Sequence, residues 1–245
     1  MSRPEPIDLE QHNRAQVEYF ERAGKRAMQP AATPYVQRQV DHLVSFAGLS
    51  PGERVLDVGC GMGRYTFPLA DRGIEVAGVD LSESLLDRFR AFDAGQYGIP
   101  LYVADILRMP AELNGTFDAV VGFFTLHHLH DLTRCFEAMR SLAKPGGRVV
   151  FLEPNPLNVL YYIQMLVVPG MSWSGDKGIL NMRPKTVFSA MAAAGLVNVA
   201  LQRFGFLPPF MANRRWGGRL EGVLERRGAL ERFLAFQLFR GDVPR

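Results

Sequence analysis

Cysteine is almost missing from these 245 residues, with Cys60 and Cys135 the only two. Two thiols, one inside a glycine turn, make no disulfide framework, so a reducing compartment is expected. Long apolar runs are lacking too. The most apolar stretch, Leu157 to Val168, falls short of the ~20 residues that span a bilayer. Asn158 and Gln164 interrupt it and basic residues are absent beside it, so membrane-surface contact is the weaker reading and stable insertion is not expected. The start, MSRPEPIDLEQHNR, is polar and proline-bearing, unlike a secretory signal or an anchor, and a cytoplasmic protein is expected. Charge of one sign is lacking as well: 28 Lys+Arg against 25 Asp+Glu leave +3. Basic residues gather only around Arg214, Arg215 and Arg219, where Glu221, Glu225 and Glu231 interleave. That reads as a solvated helix face, and no nucleic-acid partner is expected.

What is present is alternation. Hydrophobic residues are 47% of the chain, enough for one domain with a sizeable core over 1–245. An N-terminal cap helix is expected over 14–28, within a segment 1–35, and a second helix from Tyr35, stopped by Gly48. Then strands are expected at Val55–Val58, Ile74–Val79, Pro100–Ala104, Phe117–Phe124 and Arg148–Leu152, with helices between. Ser82 and Asp131 are placed to cap two of these helices, and Lys144-Pro145-Gly146-Gly147 to break the second. Such a succession specifies an α/β fold with a doubly wound, mostly parallel sheet and right-handed crossovers. The core is expected over 36–154, an insert or lid over 155–182, and the rest of the sheet with a helical segment over 183–245. Val197–Phe204 reads as a strand, and Ala235–Phe239 as a last one.

Ligands of such sheets bind beyond the carboxyl ends of the strands, where Asp57, Asp80, Asp105 and Glu153 fall. Gly59, Gly61 and Gly63 follow the first strand in a G-x-G-x-G turn. The dinucleotide fingerprint is spaced G-x-G-x-x-G and seats a pyrophosphate, which Asp57 would repel. Asp57 suits a ligand carrying an ammonium or sulfonium instead. Asp80, with Ser82 filling the cap role, is left to accept from ribose hydroxyls. Asp105 can accept from an adenine amine while Ile106 packs on the ring.

The series VLDVGCGMG, VAGVDLS, VADI, FDAVVGFFTLHHL and LAKPGGRVVFLEP resembles the class I S-adenosylmethionine-dependent methyltransferases. Within them it is similar to the small-molecule branch that includes quinone-biosynthesis and natural-product methyltransferases. The likeness covers about residues 53–154. It implies a seven-stranded sheet whose last strand is antiparallel, with helices on both faces and a helical, aromatic cap. It also implies S-adenosyl-L-methionine as cofactor and S-adenosyl-L-homocysteine as product. By the same likeness Gly59, Cys60, Gly61 and Gly63 would line the methionine and ribose, and Asp57 would orient the amino-acid portion. Asp80 would bind the ribose, with Leu81 against the adenine, and Asp105 and Ile106 would meet the adenine edge and face. The backbone at Gly122 and Phe123 would contact the methionyl ammonium. Metal-using quinone O-methyltransferases carry acidic residues before the histidine. Here Phe123, Phe124 and Thr125 stand there, so no metal is expected.

Methyl transfer from a sulfonium needs alignment and exclusion of water; an acidic hydroxyl acceptor can do without a strong base, while an alcohol or amine needs a proton acceptor within reach. The candidates are His127 and His128, which sequence does not separate, and Glu153. The acceptor pocket is expected from flanking aromatic segments: Tyr19 and Phe20; Tyr161, Tyr162, Met165 and Trp173; Phe204, Phe206, Phe210 and Trp216. These suggest a small hydrophobic or aromatic acceptor, methylated at oxygen rather than nitrogen or carbon, by a monomer or homodimer. A non-catalytic nucleoside-binding scaffold and an NAD-dependent oxidoreductase are the alternatives, disfavoured by the three carboxylates and by the glycine spacing with Asp57.

Overall fold

The computed structural model describes residues 9–23, 28–159, 162 and 177–245. Helix α1 spans Leu9–Ala23, earlier than the 14–28 expected from the apolar spacing alone. Helix α2, Pro34–Ala47, has Thr33 accepting from the Val36 N–H, proline in its first turn, and Gly48 left-handed at φ 64° beyond its end. β1 (Arg54–Val58), α3 (Thr66–Ala70) and β2 (Glu75–Asp80) follow. Then come α4 (Glu83–Asp93), β3 (Leu101–Val103), β4 (Phe117–Phe123) and α5 (Leu132–Leu142). The expected caps form: Ser82 Oγ accepts from Leu85 N and Asp131 Oδ1 from Arg134 N.

β5 runs Ala143–Pro154, longer at both ends than Arg148–Leu152. The Lys144-Pro145-Gly146-Gly147 stretch ends α5 yet stays in the ladder, because Phe117 pairs with Ala143 across a register shift before Ala119 pairs with Arg148. At its other end β5 is held by the last strand, from Arg148↔Asp242 to Pro154↔Phe236. Glu153 therefore lies inside the sheet, fully buried, and not past it. After β5 come α6 (Pro184–Ala193), β6 (Val197–Phe204), α7 (Pro209–Ala212), α8 (Gly217–Glu225) and β7 (Phe236–Asp242).

The seven strands form one sheet in the order β3-β2-β1-β4-β5-β7-β6. β7 is antiparallel to both β5 and β6, and the other pairs are parallel. One face carries α5 and α6 through Phe136, Met139, Val187 and Met191, packed on Val120, Val149, Phe151 and Phe239. The other carries α2 and α3 through Val40, Leu43 and Leu69, packed on Val55, Val121, Val150 and Leu238. The central strands are apolar on both faces, as a sheet covered on both sides requires. Phe136, Phe151 and Phe239 are wholly buried, and truncating any one to Ala should cost about 3–5 kcal/mol. Reversal of strand order beside β1 opens a crevice at the carboxyl ends of β1, β2 and β4.

Candidate functional site

The turn after β1 depends on backbone that only glycine adopts easily. Gly59, Gly61 and Gly63 have φ of 72°, 51° and 87°. A Cβ on Gly59 would sit 2.4 Å from Thr125 Oγ1, and one on Gly63 would sit 2.5 Å from the Phe67 ring. At Gly61 only Met28 Cε comes as near as 4.0 Å. The first and third glycines thus let protein pack on protein, and the second leaves room. Cys60 turns inward beside Phe67, Leu86 and Phe89, where burial raises its thiol pKa. It offers the crevice its backbone, not its sulfur.

Asp80 and Asp57 are the crevice's buried acids. Asp80 is not left free by Ser82, as the sequence had suggested: its Oδ1 accepts from Ser82 N and its Oδ2 from Gly61 N, both at 2.9 Å. The Leu81 N–H also hydrogen-bonds this carboxylate; with about four acceptor sites, it keeps some capacity to accept more. Asp57 accepts from the Thr66 hydroxyl at 2.6 Å. Burial pushes its carboxyl up to about 7, with Asp80 adding to the rise, and burial raises Asp80 as well. Two raised carboxyls in one crevice favour a ligand that brings positive charge. Thr66 was missed from the sequence; its place at the start of α3, facing β1, was the available signal.

Helix α1 lies across this crevice with a polar inner face. Asn13 Nδ2 donates to Asp105 Oδ2 at 2.7 Å, and His12 Nε2 to the His128 carbonyl at 3.0 Å. Glu21 accepts from the hydroxyls of Ser82 and Ser84, each at 3.0 Å. The Phe20 ring meets the His128 ring edge-on at 4.9 Å, and Tyr19 meets Phe20 edge-on as well, at 5.2 Å. Between them, Gln16 Oε1 is buried with no hydrogen-bond partner. His12, Asn13, Gln16 and Phe20 follow helical spacing, a pattern overlooked in the sequence because it is polar. Asp105 also caps the turn Ile106–Arg108 through Leu107 N, while Ile106 is buried in the main core and Leu81 is half-buried.

Beyond β4 the chain makes a strained corner. Phe124 has φ 57°, a region costly for a residue with a side chain. Gly122 faces the Phe151 ring, which a Cβ would meet at 2.2 Å, and Phe123 stacks on Tyr65 at 4.4 Å. The 3-10 turn Leu126–His128 follows. Glu153 reaches it from β5 with both oxygens: Oε1 accepts from Leu126 N and Oε2 meets His127 Nδ1, each at 2.6 Å. The two histidines, equivalent in sequence, are thereby separated. His127 is buried on a carboxylate, whereas His128 lies under α1.

A cavity of about 440 Å³ opens beside His127, which lines it together with Leu129, Leu132, Asn181, Met182 and Ser189 among others. That volume suits a small molecule. Of the expected acceptor residues that are described, none lines it. Tyr162 donates its hydroxyl to the Pro156 carbonyl, Phe206 is half-buried behind Glu221, and Phe210 is 72% exposed. Tyr161, Met165 and Trp173 lie outside the described residues. Among the described residues no three His, Cys, Asp or Glu side chains converge as a metal site, and no helix is long and apolar enough to cross a membrane.

Residues 56–151 match the family described as "Methyltransferase domain". Among curated proteins, the ubiquinone biosynthesis O-methyltransferase of Bordetella pertussis is 30% identical over 171 residues, covering 66% of this chain and 69% of that one. Among solved structures, a Thermotoga maritima methyltransferase described as a possible histamine N-methyltransferase superposes with a TM-score of 0.61 at 19% identity. It covers 93% of this chain and 99% of its own. A Haemonchus contortus phosphoethanolamine N-methyltransferase, bound to S-adenosylhomocysteine and phosphomonomethylethanolamine, gives 0.64 at 16% identity over 99% of this chain. This chain spans 62% of that nematode chain, and 53% in its S-adenosylmethionine complex.

Proposed function

Because the chain belongs to the class I S-adenosylmethionine-dependent methyltransferases, we propose that it methylates an oxygen of a small hydrophobic or aromatic acceptor, with His127 as base. The observation that carries this is the His127–Glu153 pair, buried beside the strained corner after β4. A carboxylate on Nδ1 selects the tautomer whose basic nitrogen is Nε2, and it stabilises the imidazolium that forms when a hydroxyl gives up its proton. A base serves an alcohol or an amine alike. Oxygen is favoured because the 30% identical relative is named an O-methyltransferase, whereas the structures named for nitrogen acceptors share the fold at 16% and 19% identity.

S-adenosylmethionine, the family's cofactor, supplies a methyl group activated on a sulfonium sulfur. The crevice fits it: Gly61 leaves space, Asp80 keeps acceptor capacity for the ribose, and the buried Asp57 favours a cationic amino-acid end. Asp105, held by Asn13, and Gln16, with its unmatched oxygen, are placed for the adenine side. Helix α1 keeps water out of the crevice, which strengthens these contacts. Phe20 against His128, and Phe124 against Phe236, support an apolar acceptor. The test is a panel of acceptors incubated with labelled cofactor: alkyl-substituted phenols and catechols, matched anilines, and polar amino acids. Methyl ethers of the first group are expected. Methylation of the polar amino acids alone would sink the proposal.

A further inference from the structure

The segment between β6 and β7 carries more exposed charge of one sign than its sequence suggests. Its six arginines, Arg214, Arg215, Arg219, Arg226, Arg227 and Arg232, are all exposed. Two of its three glutamates are turned inward. Glu221 is buried, accepting from the Phe206 and Leu207 N–H groups, and Glu225 accepts from Gly205 N and pairs with Arg38 of α2. Only Glu231 remains outside. Two of the three acids interleaved with these arginines are therefore spent holding the segment to the body.

The same outer surface is apolar. Phe210 is 72% exposed, Trp216 48%, Val223 44% and Phe233 43%, with Leu220 also exposed. Trp216, Leu220 and Val223 fall within about 60° of one another around α8, and Arg215 and Arg219 flank them. Leu157 and Val159 extend the patch, because Asn155 and Asn158 donate to the carbonyls of Arg232, Phe233 and Leu234. The patch lies where β5 ends and β7 begins, the end of the sheet that carries Glu153.

We propose that this face, residues 209–233 with Leu157 and Val159, docks peripherally on an anionic lipid surface. Apolar anchors of several sizes ringed by arginine match the interface of such a membrane: aromatic and aliphatic side chains enter the acyl boundary while guanidinium groups meet lipid phosphates. A nucleic acid would use the arginines but leaves Leu220, Val223, Leu157 and Val159 without a partner. A second copy of the chain would bring the same six arginines against each other across a two-fold contact.

The test is co-sedimentation of the full chain with vesicles of phosphatidylcholine alone or mixed with phosphatidylglycerol, at low and high salt. Binding is expected only to the mixed vesicles and should be released by salt. Arg215→Ala with Arg219→Ala should weaken it about thirtyfold, and Phe210→Ser with Trp216→Ser at least about tenfold. Arg88→Ala on α4, exposed on another face, should leave it unchanged. All these positions are exposed, so melting temperatures should match the parent, and the two pairs test charge and anchoring separately. Failure to bind either vesicle, or equal binding to both, overturns the proposal. So does duplex DNA binding that survives the Phe210/Trp216 change, or a dimer that the same change dissolves.

Discussion

Replacing Glu153 by Gln removes one charge from a fully buried site and keeps its shape. Both oxygens of Glu153 are in use, on Leu126 N and His127 Nδ1, at 2.6 Å each. A carboxamide has one acceptor and one donor end, so it cannot accept from both. If its oxygen faces His127, its amide opposes the Leu126 N–H, and two buried donors confront each other. If its oxygen faces Leu126, its amide donates to His127 Nδ1. The proton then moves to Nε2, and the base is lost. The first arrangement costs about 1–3 kcal/mol for the unmatched donors, and the second loses about a hundredfold or more in kcat. The two effects separate by acceptor acidity. With a weakly acidic phenol, Glu153→Gln should reduce kcat at least about a hundredfold while cofactor affinity, measured by calorimetry with S-adenosylhomocysteine, stays put. With a nitrocatechol, already ionised at neutral pH, the loss should shrink towards the structural part. A loss equal for both acceptors would refute the base role and leave Glu153 a clamp of the Leu126–His128 turn. An unchanged kcat would remove the pair from the chemistry altogether.

Asp80→Ala should weaken S-adenosylhomocysteine by about 1.5–3 kcal/mol for each charged hydrogen bond lost, read by calorimetry; unchanged affinity would move the ribose elsewhere. Asp57 has a folded value of about 7 against an ordinary 3.8. A raised carboxyl favours folding while protonated, so its contribution to stability of the ligand-free protein falls as pH rises from about 4 to about 7. A cationic ligand reverses that preference. Between pH 5.5 and 7 the ionised fraction climbs from about 3% to about 50%, so cofactor affinity should tighten on the order of tenfold, and Asp57→Asn should flatten the profile. A slope unchanged by Asp57→Asn would refute the contact. Gly59→Ala, which drives a methyl into Thr125 at a left-handed position, should cost about 3 kcal/mol in thermal unfolding. Gly61→Ala should cost only about 1 kcal/mol of strain and act mainly on cofactor affinity; equal melting losses for the two would contradict the open space at Gly61.

The core was legible because each of its features has a local cause. Nearly continuous apolar runs at Val55–Val58 and Phe117–Phe123, interrupted only by Asp57 and Asp118, read as strands covered on both faces. Ser82 and Asp131 announce helices by capping chemistry that needs nothing from afar. The glycines at 59, 61 and 63 reveal a turn, although their separate duties, two for packing and one for space, depend on Thr125 and Phe67, which sequence does not bring near. β5 came out longer than its apolar run because its ends are held by pairing, not by composition. Ala143 lies against Phe117 and Pro154 against Phe236, and neither partner is local.

Side-chain direction is what a linear reading misses, and it decides the polar residues. His127 and His128 are neighbours of identical chemistry, yet only one faces Glu153, 26 residues on and one strand across. The polar positions of α1 look like a solvated helix until Asp105, Ser82 and His128 are found beneath them. Around α8 the error ran the other way. Three glutamates interleaved with six arginines offset half of their charge along the chain, but an offset on a surface requires both signs to point outward. Glu221 and Glu225 lie about 100–180° around the helix from Trp216, Leu220 and Val223, where backbone N–H groups and Arg38 receive them. The charge that is half offset in sequence is thus almost wholly cationic in space, at the same end of the sheet as the His127–Glu153 pair. An acceptor with an apolar tail, held in a lipid surface, would meet the protein at that end.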